Sequence, residues 1–449
     1  MKAAEAMEYM IQLQGSGIRP GLERIKSLLD RMDNPQKELK FIHIAGTNGK
    51  GSTLAFISEI LKSSGYRVGR YISPTIIDYK ERFQVNSKKI SEAMLVKGVE
   101  YLKSVIEAME AAGEDTPSAF EAETALAFWY FKEKKCDYVT LEVGMGGSLD
   151  ATNIIPAPLV CVLASISYDH MSFLGDSLSE IAAQKAGIIK KGSYVVSQFQ
   201  HEEAMRVIEA TAQECGCPLS VVDEAAIKSE RAAGFKDGGL NKDRIKQVFS
   251  YKNYKHVELS LLGRYQQKNA ALAIEVVEAL RKQGVHIPEE AMRLGLKNTE
   301  WIARFQIVAD RPCIILDGAH NEEAAERLAE TIDFYFTNSR IIYIMGMLKD
   351  KEYERVAQLT ADKAECIFTV TPPNNPRALP AITLAETVKK YNPKVTAADS
   401  PEEALEMASL MAGRDGVIIV FGSLSYLGKI MELIQDGSGQ DKRRSKITP

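Results

Sequence analysis

Short, continuous apolar runs alternate with amphipathic stretches along almost the whole chain. Runs at 41–45, 138–143, 159–166, 194–197, 313–316, 341–345, 366–370 and 417–421 are too short for helices and lack polar alternation, which predicts strands buried on both faces. Helical spacing occupies 52–63, 120–131, 177–186 and 269–282, the first ending near Gly65. Ser177 and Glu180 stand at capping-box distance, so that helix has a defined start. Strand alternating with helix predicts an α/β fold around mainly parallel sheets. Residues 3–13 form a mixed helical pattern without the cationic start and apolar centre of a secretory signal.

Length turns this pattern into domains. The 449 residues suit two or three cores, and the two strand series divide near 297–301. We therefore expect two α/β domains, one over 1–297 and a smaller one over 298–435. Residues 436–449 are rich in Gly, Ser, Asp and Lys/Arg and are expected to be disordered. With 56 Lys+Arg against 60 Asp+Glu and no basic block before the last residues, nothing marks a nucleic-acid surface. No apolar run approaches the length of a membrane span. Six scattered cysteines fit a reducing cytoplasm, and Cys215-Gly216-Cys217 has no second pair or His cluster to make a metal site. No coiled-coil repeat argues against a monomer.

Candidate chemistry gathers where strands end. Gly46-Thr47-Asn48-Gly49-Lys50-Gly51-Ser52 joins a buried strand to a helix, so its backbone N–H groups and the helix N-terminus can surround phosphate oxygens, with Lys50 at the β/γ-phosphates. It is shorter than a full Walker A loop: Ile44 stands at the first glycine position, and Gly51 separates Lys50 from Ser52. Glu142 closes an apolar strand ahead of Gly144-Met145-Gly146-Gly147 and is a candidate Mg²⁺ ligand. Asp169-His170 also follows a strand, as do Asp317 and His320 in the second series. Arg304 can grip a phosphate or form an ordinary ion pair, and composition alone makes Lys185 a solvated helix lysine.

These residues resemble the folylpolyglutamate synthases and their bifunctional dihydrofolate synthase relatives, within the Mur ligase superfamily. His43 to Ser52 is similar to the family's phosphate loop, and Glu142 to Gly147 with Leu149-Asp150-Ala151-Thr152-Asn153 to its second signature. Ser73-Pro74, Glu81-Arg82, Asp169-His170, 180–187, 263–269, Arg304-Phe305 and 317–321 extend the likeness into the C-terminal domain. The resemblance implies an α/β fold with an N-terminal P-loop-containing ATPase-like domain over 1–297 and a smaller C-terminal Rossmann-like domain over 298–435, and ATP-dependent amide formation through an acyl phosphate, with glutamate as the incoming amine and folate or dihydropteroate as the acceptor. It implies Mg²⁺ at Ser73, Glu142 and His170, and at Lys185 a carbamylated lysine as a further ligand. Thr47, Asn48, Gly49, Lys50, Gly51 and Ser52 with Asn269, Arg304 and Asp317 would bind ATP. Lys50, Lys185, His170 and His320 would act in catalysis. Phe120, Glu121, Leu149, Asp150 and Ala151 match segments that take the pterin. Thr75 stands where many members have His, and Ser148 where bacterial bifunctional members often have Arg. The rival from another class is a nucleotide-hydrolysing switch, which has no need of Lys185, Asp317 or His320.

Overall fold

The computed structural model describes residues 1–13, 21–169, 171–230, 247–336 and 339–444, with residues 172 and 436–444 described by backbone only. The chain divides into two compact units, 1–227 with 268–299 and 228–267 with 300–449. Residues 228–267 thus group with the second unit, whereas sequence spacing counted them with the first.

The first unit is built on eight strands: β1 (Phe41–Ala45), β2 (Val68–Tyr71), β3 (Phe83–Val85), β4 (Lys88–Lys89), β5 (Tyr138–Glu142), β6 (Val160–Leu163), β7 (Tyr194–Ser197) and β8 (Leu219–Val221). Their order is β4-β3-β2-β5-β1-β6-β7-β8. From β2 to β8 all neighbours are parallel, and β3 and β4 form an antiparallel edge. Every residue of β1, β5 and β6 is buried, as expected of strands covered on both faces. One buried cluster packs Phe41, Tyr71, Phe128, Phe131 and Leu141 together; a second packs Ala45, Leu163, Ile181 and Ile208. The edge strands escape a search for apolar runs because they are short.

The second unit contains a three-stranded sheet of β9 (Ile227–Ser229), β10 (Gln247–Tyr251) and β11 (Tyr254–Leu259), ordered β11-β10-β9. Its larger sheet has six strands: β12 (Gln306–Asp310), β13 (Cys313–Leu316), β14 (Ile341–Met345), β15 (Cys366–Thr369), β16 (Val395–Ala397) and β17 (Val417–Phe421), ordered β12-β13-β17-β14-β15-β16. Only β12 runs antiparallel. The last helix, Leu424–Arg444, buries Tyr426, Leu427 and Ile430. Its backbone continues through 436–444, where composition predicted disorder: once an amphipathic start is docked, each further residue adds a hydrogen bond without a new nucleation cost. Among the described residues no helix is long and apolar enough to cross a membrane, and all six cysteines are free.

Candidate functional site

Strand register brings the first unit's motifs to one sheet edge. In β1, Ile44 pairs with Glu142 of β5 and Ala45 with Leu163 of β6, while Tyr71 of β2 pairs with Leu141. Ser73, Glu142, the 46–51 loop and the segment after Ala164 therefore leave the carboxyl ends of four adjacent strands, where open parallel sheets bind ligands. The Ser73 backbone N–H points to Glu142 Oε2 at 3.4 Å, which joins two of these segments directly.

The loop is held from both sides. Thr47 donates its N–H to the Ser165 carbonyl at 2.6 Å and its hydroxyl to the Ser167 carbonyl at 3.0 Å. Gly49 caps the helix Lys50–Ser63 at φ 85°, and a Cβ there would lie 2.6 Å from Asn269 Oδ1. Both the left-handed backbone and the close neighbour require glycine. Asn269 is fully buried, and Gln198 Nε2 donates to its Oδ1 at 2.8 Å. Asn269 is reached through the family resemblance; Gln198 carries no signal in sequence and emerges only from packing.

Two lysines converge on one carbonyl. Lys50 Nζ donates to Gly46 O at 3.0 Å and to Thr47 O at 3.2 Å, and Lys185 Nζ donates to the same Gly46 O at 2.9 Å. Lys185 is 4% exposed. Burial first, and then the Lys50 charge, draw its pKa from 10.5 to about 7, opposed by Asp169 and Asp150. The surface lysine that composition favours is thus a buried amine at the phosphate loop. Its helix starts as the sequence predicts, with Ser177 and Glu180 in a capping box. Ser148 closes the glycine segment onto this helix through Gln184 Oε1 at 2.6 Å.

The residues assigned to the acceptor split into two kinds. Phe120 is half-buried, inclined at 43° to the Tyr71 ring, and its edge fills the space beside Gly144. Leu149 is exposed and Ala151 buried. Glu121 is buried: its Oε2 completes a capping box with Ser118 and pairs with Arg24 Nε at 3.2 Å, and its Oε1 has no hydrogen-bond partner among the described residues. The Ser118-x-x-Glu121 spacing was legible in the sequence. Both oxygens of Asp150 accept bonds from residues 145 and 152. Glu81 gathers the N–H groups of Ile76, Ile77 and Asp78, organising the turn after Ser73. His170 lies outside the described residues.

In the second unit, Arg304 sits between Ala303 and Phe305, both buried at positive φ (56° and 48°). Such backbone costs on the order of 1–3 kcal/mol per residue and persists where surrounding contacts impose it. Here Asp317 Oδ2 accepts the Phe305 N–H and Oδ1 the Ala319 N–H, each at 2.8 Å. Burial raises the Asp317 pKa, and the Arg304 charge opposes it. Arg304 lies against Gly318, where a Cβ would meet its guanidinium at 2.2 Å. His320 Nδ1 is 2.7 Å from the Gly318 carbonyl; that nitrogen must donate, so a neutral ring carries its lone pair on Nε2.

Among the described residues no cluster of three His, Cys, Asp or Glu is assembled to hold a metal. The Glu142 carboxylate, which faces the Ser73 N–H, supplies hard oxygens beside a phosphate loop. Mg²⁺ is bound in this way, through one or two carboxylates plus substrate phosphates and water.

Two family models match the chain: the Mur ligase middle domain over residues 44–277 and the Mur ligase glutamate ligase domain over 303–424. The dihydrofolate synthase/folylpolyglutamate synthase of Bacillus subtilis is 37% identical, covering 93% of this chain and 96% of that protein. The Mycobacterium tuberculosis folylpolyglutamate synthase complexed with ADP and AMPPCP superposes with a TM-score of 0.85 at 27% identity, covering 96% of this chain and 99% of that one. The FolC protein of Escherichia coli in complex with DHPP and ADP gives a TM-score of 0.83 at 30% identity, covering 98% and 99%.

Proposed function

The chain belongs to the folylpolyglutamate synthase/dihydrofolate synthase family of Mur ligases, and we propose that it joins L-glutamate to the carboxylate of a folate at the expense of ATP. The observation that carries this reading is the meeting of Lys50 and Lys185 at Gly46 O, on the sheet edge that also presents Ser73 and Glu142. A free carboxylate is a poor electrophile. Transfer of the γ-phosphoryl group to it breaks the terminal P–O bond of ATP and leaves ADP and an acyl phosphate. Attack by the glutamate amine on the acyl carbon then forms the amide and expels phosphate, with the amine proton passing to solvent.

The chain's own groups serve these steps. Backbone N–H groups of 46–51 and the helix N-terminus hold the phosphates. Lys50 exchanges its loop carbonyls for phosphate oxygens and offsets the charge on the transferred group. Ser73, Glu142 and His170 are the residues we assign to Mg²⁺, which when bound would neutralise phosphate charge. Lys185 is the proposed carbamylation site: a buried amine that is half neutral near pH 7 can add to CO₂ through its lone pair, releasing a proton. Asn269, Arg304 and Asp317 are assigned to the nucleotide and His320 to catalysis. Phe120, Leu149, Asp150 and Ala151 are assigned to the acceptor, Asp150 shaping its segment from within. A monomer in a reducing cytoplasm suits the six free thiols.

Dihydropteroate as a second acceptor is the next reading, favoured by the bifunctional Bacillus subtilis relative. Phosphate release with Mg-ATP and glutamate, compared across tetrahydrofolate, dihydropteroate and no acceptor, tests both. Release with tetrahydrofolate is expected; release with both acceptors makes the enzyme bifunctional. Acceptor-independent release would overturn the ligase reading in favour of a switch.

A further inference from the structure

Strand β1 runs into the phosphate loop, and its third residue, His43, is a fully buried imidazole with no part in the chemistry above. His43 Nε2 lies 2.9 Å from the Thr152 hydroxyl oxygen. That hydroxyl in turn bonds Asp150 Oδ1, which also accepts the Thr152 backbone N–H at 3.0 Å. The other carboxylate oxygen accepts the Met145 N–H at 2.9 Å. Asp150 thereby ties 145 to 152, and the chain of contacts anchors that closed segment to β1.

Counting protons sets the direction of this chain. A threonine hydroxyl has one proton to give. If it goes to Asp150, Thr152 Oγ1 can only accept from His43, so Nε2 carries the ring proton and Nδ1 is a bare lone pair. If Asp150 is instead protonated and the chain reversed, His43 buries an Nδ1–H. Nδ1 is buried and has no hydrogen-bond partner among the described residues, and orphaned buried N–H groups are rarer than orphaned acceptors. The first arrangement is therefore the better satisfied. Burial, with the Lys190 charge adding to it, pushes the ring pKa down to about 3, which keeps the imidazole neutral.

We propose that His43 is a positioning residue for the acceptor: its Nε2–H, relayed by the Thr152 hydroxyl, holds the Asp150 carboxylate in the orientation that shapes residues 144–151. This rests on the assignment of that segment to the folate acceptor. The route to the acceptor is short, because a Cβ on Gly144 would lie 3.1 Å from Asp150 Oδ2 and 2.5 Å from the Phe120 ring. The Asp150 carboxylate and the Phe120 ring thus face the same backbone position, Gly144.

Two measurements on the full chain decide the matter. Nitrogen-15 histidine spectra of the wild type, with the His43 signal identified by its loss in His43→Leu, should show protonation at Nε2; a proton on Nδ1 overturns the relay. In steady-state kinetics, Thr152→Val, which removes the bond to the Asp150 carboxylate, should raise KM for the folate on the order of tenfold, and His43→Leu, which removes a bond between neutral groups, about fivefold, with KM for ATP nearly unchanged. Thr152→Ser and His43→Gln, which keep a donor in place, should recover most of that loss. Equal KM values for Thr152→Val and wild type overturn the positioning role. Should the Val or Leu variant fail to fold, the wild-type spectrum and the Ser and Gln kinetics still decide, the His43 signal then being identified by its loss in His43→Gln. A wild type without folate- and glutamate-dependent phosphate release overturns the assigned function while the spectrum still judges the relay.

Discussion

Replacing Lys185 by methionine should stabilise the protein in neutral CO₂-free buffer, and the gain should disappear as the pH rises. The unfolded lysine keeps its proton up to about pH 10.5, whereas the buried native amine gives it up near 7. Between those values the unfolded state binds more protons, so wild-type stability rises with pH; below 7 both states are charged and the burial penalty is felt in full. A pKa drawn from 10.5 to about 7 corresponds to roughly 5 kcal/mol at about 1.36 kcal/mol per pH unit, a ceiling for the penalty. Methionine fills a similar volume without a charge, and it forfeits the bond from Nζ to Gly46 O, worth about 1 kcal/mol. The expected net gain below pH 7 is therefore on the order of 2–4 kcal/mol. Urea unfolding of both proteins across pH 7 to 10.5 gives the difference directly, and taking the difference cancels the titrating groups that are not coupled to Lys185. Adding bicarbonate should then stabilise the wild type alone, because a carbamate forms on the native amine and not on methionine. Parallel curves for the two proteins across this window would refute the buried, neutral amine.

Three further outcomes follow from the same geometry. Gly49→Ala forces a Cβ onto left-handed backbone and to 2.6 Å from Asn269 Oδ1; it should cost about 2–3 kcal/mol of stability and weaken nucleotide binding, both measurable by calorimetry. Lys50→Ala should leave the circular dichroism and melting temperature near wild type while lowering kcat by on the order of 10²–10³, as loss of one charge-stabilising donor does; unchanged turnover would remove its phosphate role. Asp317→Ala leaves the Phe305 and Ala319 N–H groups without their acceptor, so the second unit should lose about 2–3 kcal/mol, read as a lower urea midpoint.

Much of this protein is legible in its sequence, because the relevant physics is local. A continuous apolar run bounded by glycine specifies a buried strand, and β1, β7, β13, β14 and β17 fall at their predicted positions. Ser177 with Glu180 marks a helix start from four residues alone. The phosphate loop is equally local, since its chemistry lies in consecutive backbone N–H groups, three glycines and one lysine.

Tertiary structure decided what depends on surroundings. Composition makes Lys185 a surface residue; only the packing of its helix against the loop turns it into a buried amine with a neutral form near pH 7. His43 and Thr152 are 109 positions apart and carry no shared pattern, and their contact exists because β1 lies beside β5 in the sheet. Glu121 stands beside Phe120 in sequence, and only the fold shows that a cap and Arg24 share its Oε2. The short strands β3, with three residues, and β4, with two lysines, form because a neighbouring strand offers them hydrogen bonds, which no apolar run announces. Residue type and local spacing determine which groups are available; the pKa, tautomer and partner of each depend on desolvation and on neighbours that only the folded chain supplies.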